Sequence, residues 1–190
     1  MRLRLRHRLS LPAFFAIVGA VAFLIGAAGM GYIHQSLSLA QMKQMAEENN
    51  VALAATLSNV LLPNIERLLA AADSLDPVAL EDHAEVAHIE TAIHAAVVGT
   101  NIVKVKIYGP NGRTLFSSDR RQIGGDGSNN AGFRAAMSGE VASDLLYRDQ
   151  FDAFEGIIVD RDLLYSYLPI RAARSGGEAI GVFEIYVDVT

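Results

Sequence analysis

Asn101 to Ser118 reads NIVKVKIYGPNGRTLFSS, and the change of period it introduces decides the fold. Val103, Val105 and Ile107 alternate with Ile102, Lys104, Lys106 and Tyr108, a two-residue repeat that puts the first set on one strand face and the second on the other. Pro110-Asn111-Gly112 is a turn signal, and Arg113 to Ser118 returns as the second strand of a hairpin. Upstream the period is helical. Leu39, Met42, Ala46, Leu53, Leu57 and Val60 fall close to one stripe, interrupted by Asn49 and Asn50, so His34 to Leu62 reads as one long helix that Pro63 ends or kinks. A short piece over Ile65 to Ala72 follows. Asp76-Pro77 then caps a further helix over Val78 to Val98, with Val86, Ile89, Ile93 and Val97 inside and Glu81, Asp82, Glu85 and Glu90 towards solvent.

Downstream, Arg120 to Gly132 is a polar, Gly-rich loop, and Phe133 to Met137 belongs to a short helix closed by Gly139. Val141 to Tyr147 and Asp162 to Ile170 read as strands, separated by an Asp- and Phe-rich connection over Arg148 to Arg161. Arg171 to Glu178, with Ser175-Gly176-Gly177, is the last turn. In Ala179 to Val189, Phe183, Ile185, Val187 and Val189 share one face, and Glu184, Tyr186 and Asp188 the other. Helices followed by five antiparallel-type strands with one short helix between them define an α+β arrangement.

Leu11 to Ile33 is an uncharged run of 23 residues. As a helix it spans roughly 34 Å, against about 30 Å of bilayer hydrocarbon. Arg2, Arg4, Arg6 and Arg8 precede it with no acid among the first ten residues, which places the N-terminus in the cytoplasm and residues 34–190 outside the cell membrane. A cleaved signal peptide is the competing reading, with Gly26, Ala27 and Ala28 as its small-residue site, but the apolar run outlasts the usual ~7–15-residue signal core. The expected organisation is a basic tip over 1–10, a transmembrane helix over 11–33, a helical stalk over 34–98 and a sensor-like sheet over 99–190.

The 190 residues are 51% hydrophobic and 19% charged, enough apolar content for a core. The net charge is −5, and the four N-terminal arginines leave −9 on the rest of the chain, which disfavours nucleic acid as a partner because phosphate needs a basic face. With zero Cys there is no disulfide framework, thiolate zinc site or cysteine nucleophile. His83, His88 and His94 have spacings that do not bring two of them onto one ion, and HAEVAH is not the HExxH zinc motif. Gly124-Gly125-Asp126-Gly127 begins like the cyclase signature GGDEF but has Gly127 in place of the glutamate. It is a turn rather than a calcium loop, having one carboxylate before Ser128, Asn129 and Asn130. Asp149, Asp152, Glu155, Asp160 and Asp162 fit no defined cation motif and read as solvated loop. No nucleophile elbow or P-loop is present, so the chain is read as non-enzymatic and without a cofactor.

The anchor, the long helix, the PNG hairpin, the short helix and the closing strands ending in GVFEIYVDVT resemble the extracytoplasmic PAS-like sensors called Cache or PDC domains. Within that group, KIYGPNGRTLFSSDRRQIGGDG, AGFRAAMSGE, FDAFEG and DRDLLYSYLPI are similar to the N-terminal sensors of bacterial histidine kinases and of GGDEF-type cyclic-di-GMP enzymes. The resemblance covers about residues 30–190. It implies a PAS-like five-stranded antiparallel sheet, a pocket for a small extracellular solute, and a second membrane helix leading to a cytoplasmic output domain beyond Thr190. It also implies that ligand binding moves the final strand relative to the long helix, whose stripe suits a homodimer.

Alternation places Lys104, Lys106, Tyr108, Tyr165, Tyr167, Glu184 and Tyr186 on the less apolar faces of their strands, with Arg134 on the helix expected to cover the sheet. Lysine, arginine and tyrosine converging on a cavity suit a carboxylate-bearing solute, since they supply charge-assisted donors between ring walls. The plainer alternative is cross-strand ion pairing of the lysines with Glu184 on a wet face, with tyrosines that only pack. A module without ligand, whose polar sheet face meets another protein, is the competing function.

Overall fold

The computed structural model describes residues 11–171 and 177–190. The basic tip and most of the turn through Ser175-Gly176 lie outside them. The chain divides into two compact units, one ending at Met42 and one comprising Lys43–Thr190.

Helix α1 is Leu11–Ala72. In the first unit it contains Phe14–Tyr32, 19 residues with a mean hydropathy of 2.2 and none of them buried, long and apolar enough to cross a membrane. In the second unit Ala54, Leu57, Leu61, Ile65, Leu68 and Ala72 form a buried stripe at helical spacing. Pro63 does not end the helix, and Ile65 to Ala72 is not a separate piece. The Pro63 ring is exposed, so the carbonyl that loses its amide partner faces water, and the stripe on the opposite side holds the helix together.

The helix expected over Val78 to Val98 is two: α2, Pro77–Glu81, and α3, Ala84–Val97. Asp76 accepts the Ala79 N–H at 2.8 Å to start α2, and the His83 imidazole nitrogen Nδ1 accepts the Glu85 N–H at 3.3 Å to start α3, so the break falls at a second cap. The acidic side of α3 is partnered. Glu85 receives Arg67 Nε at 2.6 Å, Arg67 Nη2 at 3.1 Å and Asn64 Nδ2 at 2.8 Å from α1. Glu81 and Glu90 each meet Arg120 at 3.0 Å.

The Arg67 guanidinium, outweighing burial, holds the Glu85 carboxyl at about 2, below its ordinary 4.5. A depressed carboxylate stabilises the fold above its unfolded value and loses that contribution as pH falls through the folded one. Glu85→Gln is expected to flatten the stability profile between pH 4.5 and 2, read from urea midpoints, and to leave its shape at pH 6–8 unchanged.

The sheet comprises β1 (Ile102–Tyr108), β2 (Thr114–Ser117), β3 (Ala142–Ala153), β4 (Gly156–Arg171) and β5 (Ala179–Asp188). Their order is β2-β1-β5-β4-β3, antiparallel throughout, which is the α+β, PAS-like arrangement the sequence points to. A 3-10 turn, Arg120–Gln122, and a helix α4, Ala131–Met137, lie between β2 and β3. Val105, Ile107, Phe116, Leu168, Phe183 and Ile185 present one sheet face to the stripes of α1 and α3. Tyr108, Tyr167 and Val182 turn the other way, against Phe133 and Ala136 of α4.

The segment Arg148 to Arg161 is not a loop: β3 and β4 continue through it as one long hairpin, so the acidic residues there lie on a paired arm. Gly156, at φ +118°, makes the tip, and Asp160, at φ +51°, interrupts the alternation while accepting the Tyr147 hydroxyl at 3.0 Å. The arm reaches β1, where the Phe154 N–H donates to the Val103 carbonyl at 2.9 Å, and it reaches Arg121 through Asp152 at 3.0 Å.

Candidate functional site

The second sheet face is organised by cross-strand rows. Lys106 on β1 and Tyr167 on β4 both stand opposite Glu184 on β5, and in the next row Lys104 and Tyr165 both stand opposite Tyr186. Period-two alternation put these residues on one face, and the register brings them together.

Glu184 is the centre. It is 2% exposed, and its two oxygens accept three hydrogen bonds and one ion pair. Oε1 accepts from the Tyr167 hydroxyl at 2.5 Å and the Tyr186 hydroxyl at 2.7 Å. Oε2 accepts from the Tyr108 hydroxyl at 2.6 Å and lies 3.3 Å from Lys106 Nζ. Asn130, which caps α4 through its side-chain oxygen, donates its amide to the Tyr167 hydroxyl at 2.8 Å. Burial, and then the neighbouring Glu184 charge, pushes all three phenols well above the ordinary value of 10. They are held as neutral donors.

The rings form the walls. Tyr165 meets Tyr167 edge-on at 5.9 Å and Tyr186 at 6.0 Å, Tyr108 meets Phe133 at 5.7 Å, and Phe151 from the hairpin arm lies 4.9 Å from Tyr186. Lys104 is 3% exposed and turned away from Glu184. Its ammonium lies 3.7 Å from Asp119 and 5.0 Å from the Phe151 ring centre. Burial, reinforced by Lys106, lowers its affinity for a proton, while Asp119 opposes that shift.

Of the residues singled out by sequence, Lys106, Tyr108, Tyr167, Glu184 and Tyr186 are in direct contact, and Tyr165 and Lys104 flank them. Arg134 is elsewhere. It is exposed and donates to the Asn129 carbonyl at 2.7 Å, closing the loop before its own helix. The ion pairing that alternation allowed is present between Lys106 and Glu184, but on a buried face rather than a wet one. Sequence reasoning missed Asn130, Asp119, Phe133 and Phe151. Asn130 carries a signal, an N-cap residue immediately before a helical run; the others depend on tertiary placement.

Gly132 in the first turn of α4 lies against this cluster. A Cβ there would lie 2.2 Å from Tyr167 Cδ2 and 2.5 Å from Cε2, and the Tyr167 ring is fixed by Asn130 and Glu184. Gly132→Ala is expected to cost about 1–3 kcal/mol in urea unfolding, as overpacking does. Combined with Tyr167→Val it should cost less than the sum of the single changes, because the ring it strikes is gone.

No protein-family model and no curated protein matches the chain. Among solved structures the fold is similar to the E. coli DcuS sensor domain, with a TM-score of 0.46 and 15% identity, covering 75% of this chain and 91% of that one. It is similar to the sensor domain of the V. cholerae histidine kinase DctB, with a TM-score of 0.35 and 18% identity over 72% of this chain and 57% of that one. A domain of a sensory box/GGDEF family protein from Vibrio parahaemolyticus gives 0.39 and 13% over 77% and 60%. The first two are sensor domains.

Proposed function

We propose that this chain is a membrane-anchored extracytoplasmic sensory module in the cell membrane. It binds a small solute on the tyrosine face and passes the change to a cytoplasmic output domain of the histidine kinase or diguanylate cyclase kind. The observation that carries the reading is Glu184: a buried carboxylate inside a ring of tyrosines, approached by one lysine, is a polar centre with apolar walls, as a small-molecule site requires. The motif resemblance of residues 30–190 and the apolar Phe14–Tyr32 segment of α1 support the extracytoplasmic placement.

The route for a signal is short. Glu184 and Tyr186 alternate along β5 with Phe183 and Ile185, which pack on the α1 and α3 side of the sheet. A solute that changes the rows on one face therefore changes the packing on the other, provided it binds one arrangement better. Pairing of two copies through α1 belongs to the same proposal. Leu57 is buried in the chain's own core, so the seam would use exposed α1 residues such as Met45, Val51 and Val60.

The second reading, a module without ligand that contacts another protein, is favoured by one observation: the donors on Glu184 all come from the protein itself. The full chain in lipid nanodiscs, melted against a panel of organic acids, amino acids and polyamines, separates the two. A saturable rise in midpoint with one member supports the sensor. A flat response across the panel supports the ligand-free module.

A further inference from the structure

We propose that the solute recognised by this face carries an ammonium group, which takes the place of Lys106 on Glu184. The inference rests on the sensory reading above and names its ligand class. A carboxylate offers about four lone-pair directions. On Glu184 three are taken by hydrogen bonds, from Tyr167 and Tyr186 on Oε1 and from Tyr108 on Oε2, and Lys106 adds an ion pair at 3.3 Å on Oε2. Each phenol has one proton to donate, and each donates it to Glu184. An incoming anion would find those protons committed and would lie beside a buried negative charge. A cation meets the opposite situation.

Of the four partners Lys106 is the exchangeable one, because it is held by the ion pair alone while the three phenols donate hydrogen bonds. The tyrosines are rigid rings packed on their neighbours, Tyr108 and Tyr167 being 6% and 3% exposed. Lys106 is a flexible stem whose side chain keeps 16% of its surface, against 2% for Glu184, so it stays in touch with solvent while the carboxylate does not. Its ammonium is a compact point charge with three donors, the chemistry of any alkylammonium. Lys104 does not compete for Glu184, because Asp119 and Phe151 hold it in the other row.

The test uses the full chain in nanodiscs, with n-butylammonium and succinate as probes, in the wild type and in Lys106→Ala, Lys106→Met and Glu184→Gln. The expected result is that n-butylammonium binds saturably to the wild type and raises its thermal midpoint. It should bind Lys106→Ala more tightly and restore most of the midpoint that this variant loses, since the probe fills the vacated place. Lys106→Met, which keeps the stem, should also bind more tightly than the wild type if the resident charge is what must leave. Glu184→Gln should weaken binding by about 30-fold, the cost of removing one partner of a buried charge pair. A midpoint shift with succinate and none with n-butylammonium overturns the ammonium class and leaves the solute site standing. No saturable response to either probe in the wild type or in either Lys106 variant overturns both.

Discussion

Glu184→Ala lowers the stability of the Lys43–Thr190 unit by about 3–5 kcal/mol, the range for removing one member of a buried ion pair. The loss exceeds that of a solvent-exposed pair because three phenols and an ammonium are left facing an apolar gap. Urea unfolding followed by far-UV circular dichroism measures it, and no Trp is present to complicate a fluorescence control. Glu184→Gln retains the shape but presents an NH2 where a hydroxyl already donates, so it should recover only part of the loss. A change below about 1 kcal/mol in Glu184→Ala, the surface-pair range, would show that the four donors find equal partners without it.

Alkaline unfolding should be unusually steep. Tyr108, Tyr167 and Tyr186 are raised above 10 by burial and by Glu184. Groups whose folded values are raised stabilise the fold below the unfolded value, and that contribution is lost as pH rises above it. With three such groups the unfolded state releases up to three more protons than the folded one. Stability then falls by about 4 kcal/mol per pH unit above pH 10. Absorbance at 295 nm should show these three phenols ionising together with loss of circular dichroism. Their independent titration at pH 10, with the fold intact, would mean that the hydroxyls are not committed to Glu184. Tyr186→Phe should reduce the slope by about one third.

Much of this was legible in the chain because it depends on period alone. Alternation in Ile102–Tyr108 and Ala179–Asp188 sorted Lys106 and Glu184 from Val105 and Ile185, and a shared face was enough to nominate the cluster. Register was not legible, so neither was the fact that Lys106 and Tyr167 both stand opposite Glu184. Arg134 shows the limit of helical reasoning: placing α4 near the sheet does not say whether a long side chain turns inward or back to its own loop. The hairpin arm was hidden because the aspartates and Gly156 in Arg148–Arg161 carry turn-like composition, whereas pairing with a complementary strand determines the outcome. Pro63 read as a terminator by local rule, and tertiary burial of Leu61, Ile65 and Leu68 overrode it.

Asn50, read in the sequence as a flaw in an apolar stripe, is 2% exposed and donates its amide to the Ser166 hydroxyl on β4 at 2.9 Å, with Ser143 of β3 donating to the same oxygen at 2.9 Å. Apolar stripes slide at little cost, since one methyl replaces another. A buried amide seated on a hydroxyl does not, because a shift of one helical turn, about 5.4 Å, strands both polar groups in hydrocarbon. The pair therefore acts as a detent: this stretch of α1 can rest against the sheet in its seated position or in another that finds a new partner for Asn50, but not at points between. Any motion the helix relays would be counted in steps rather than in degrees.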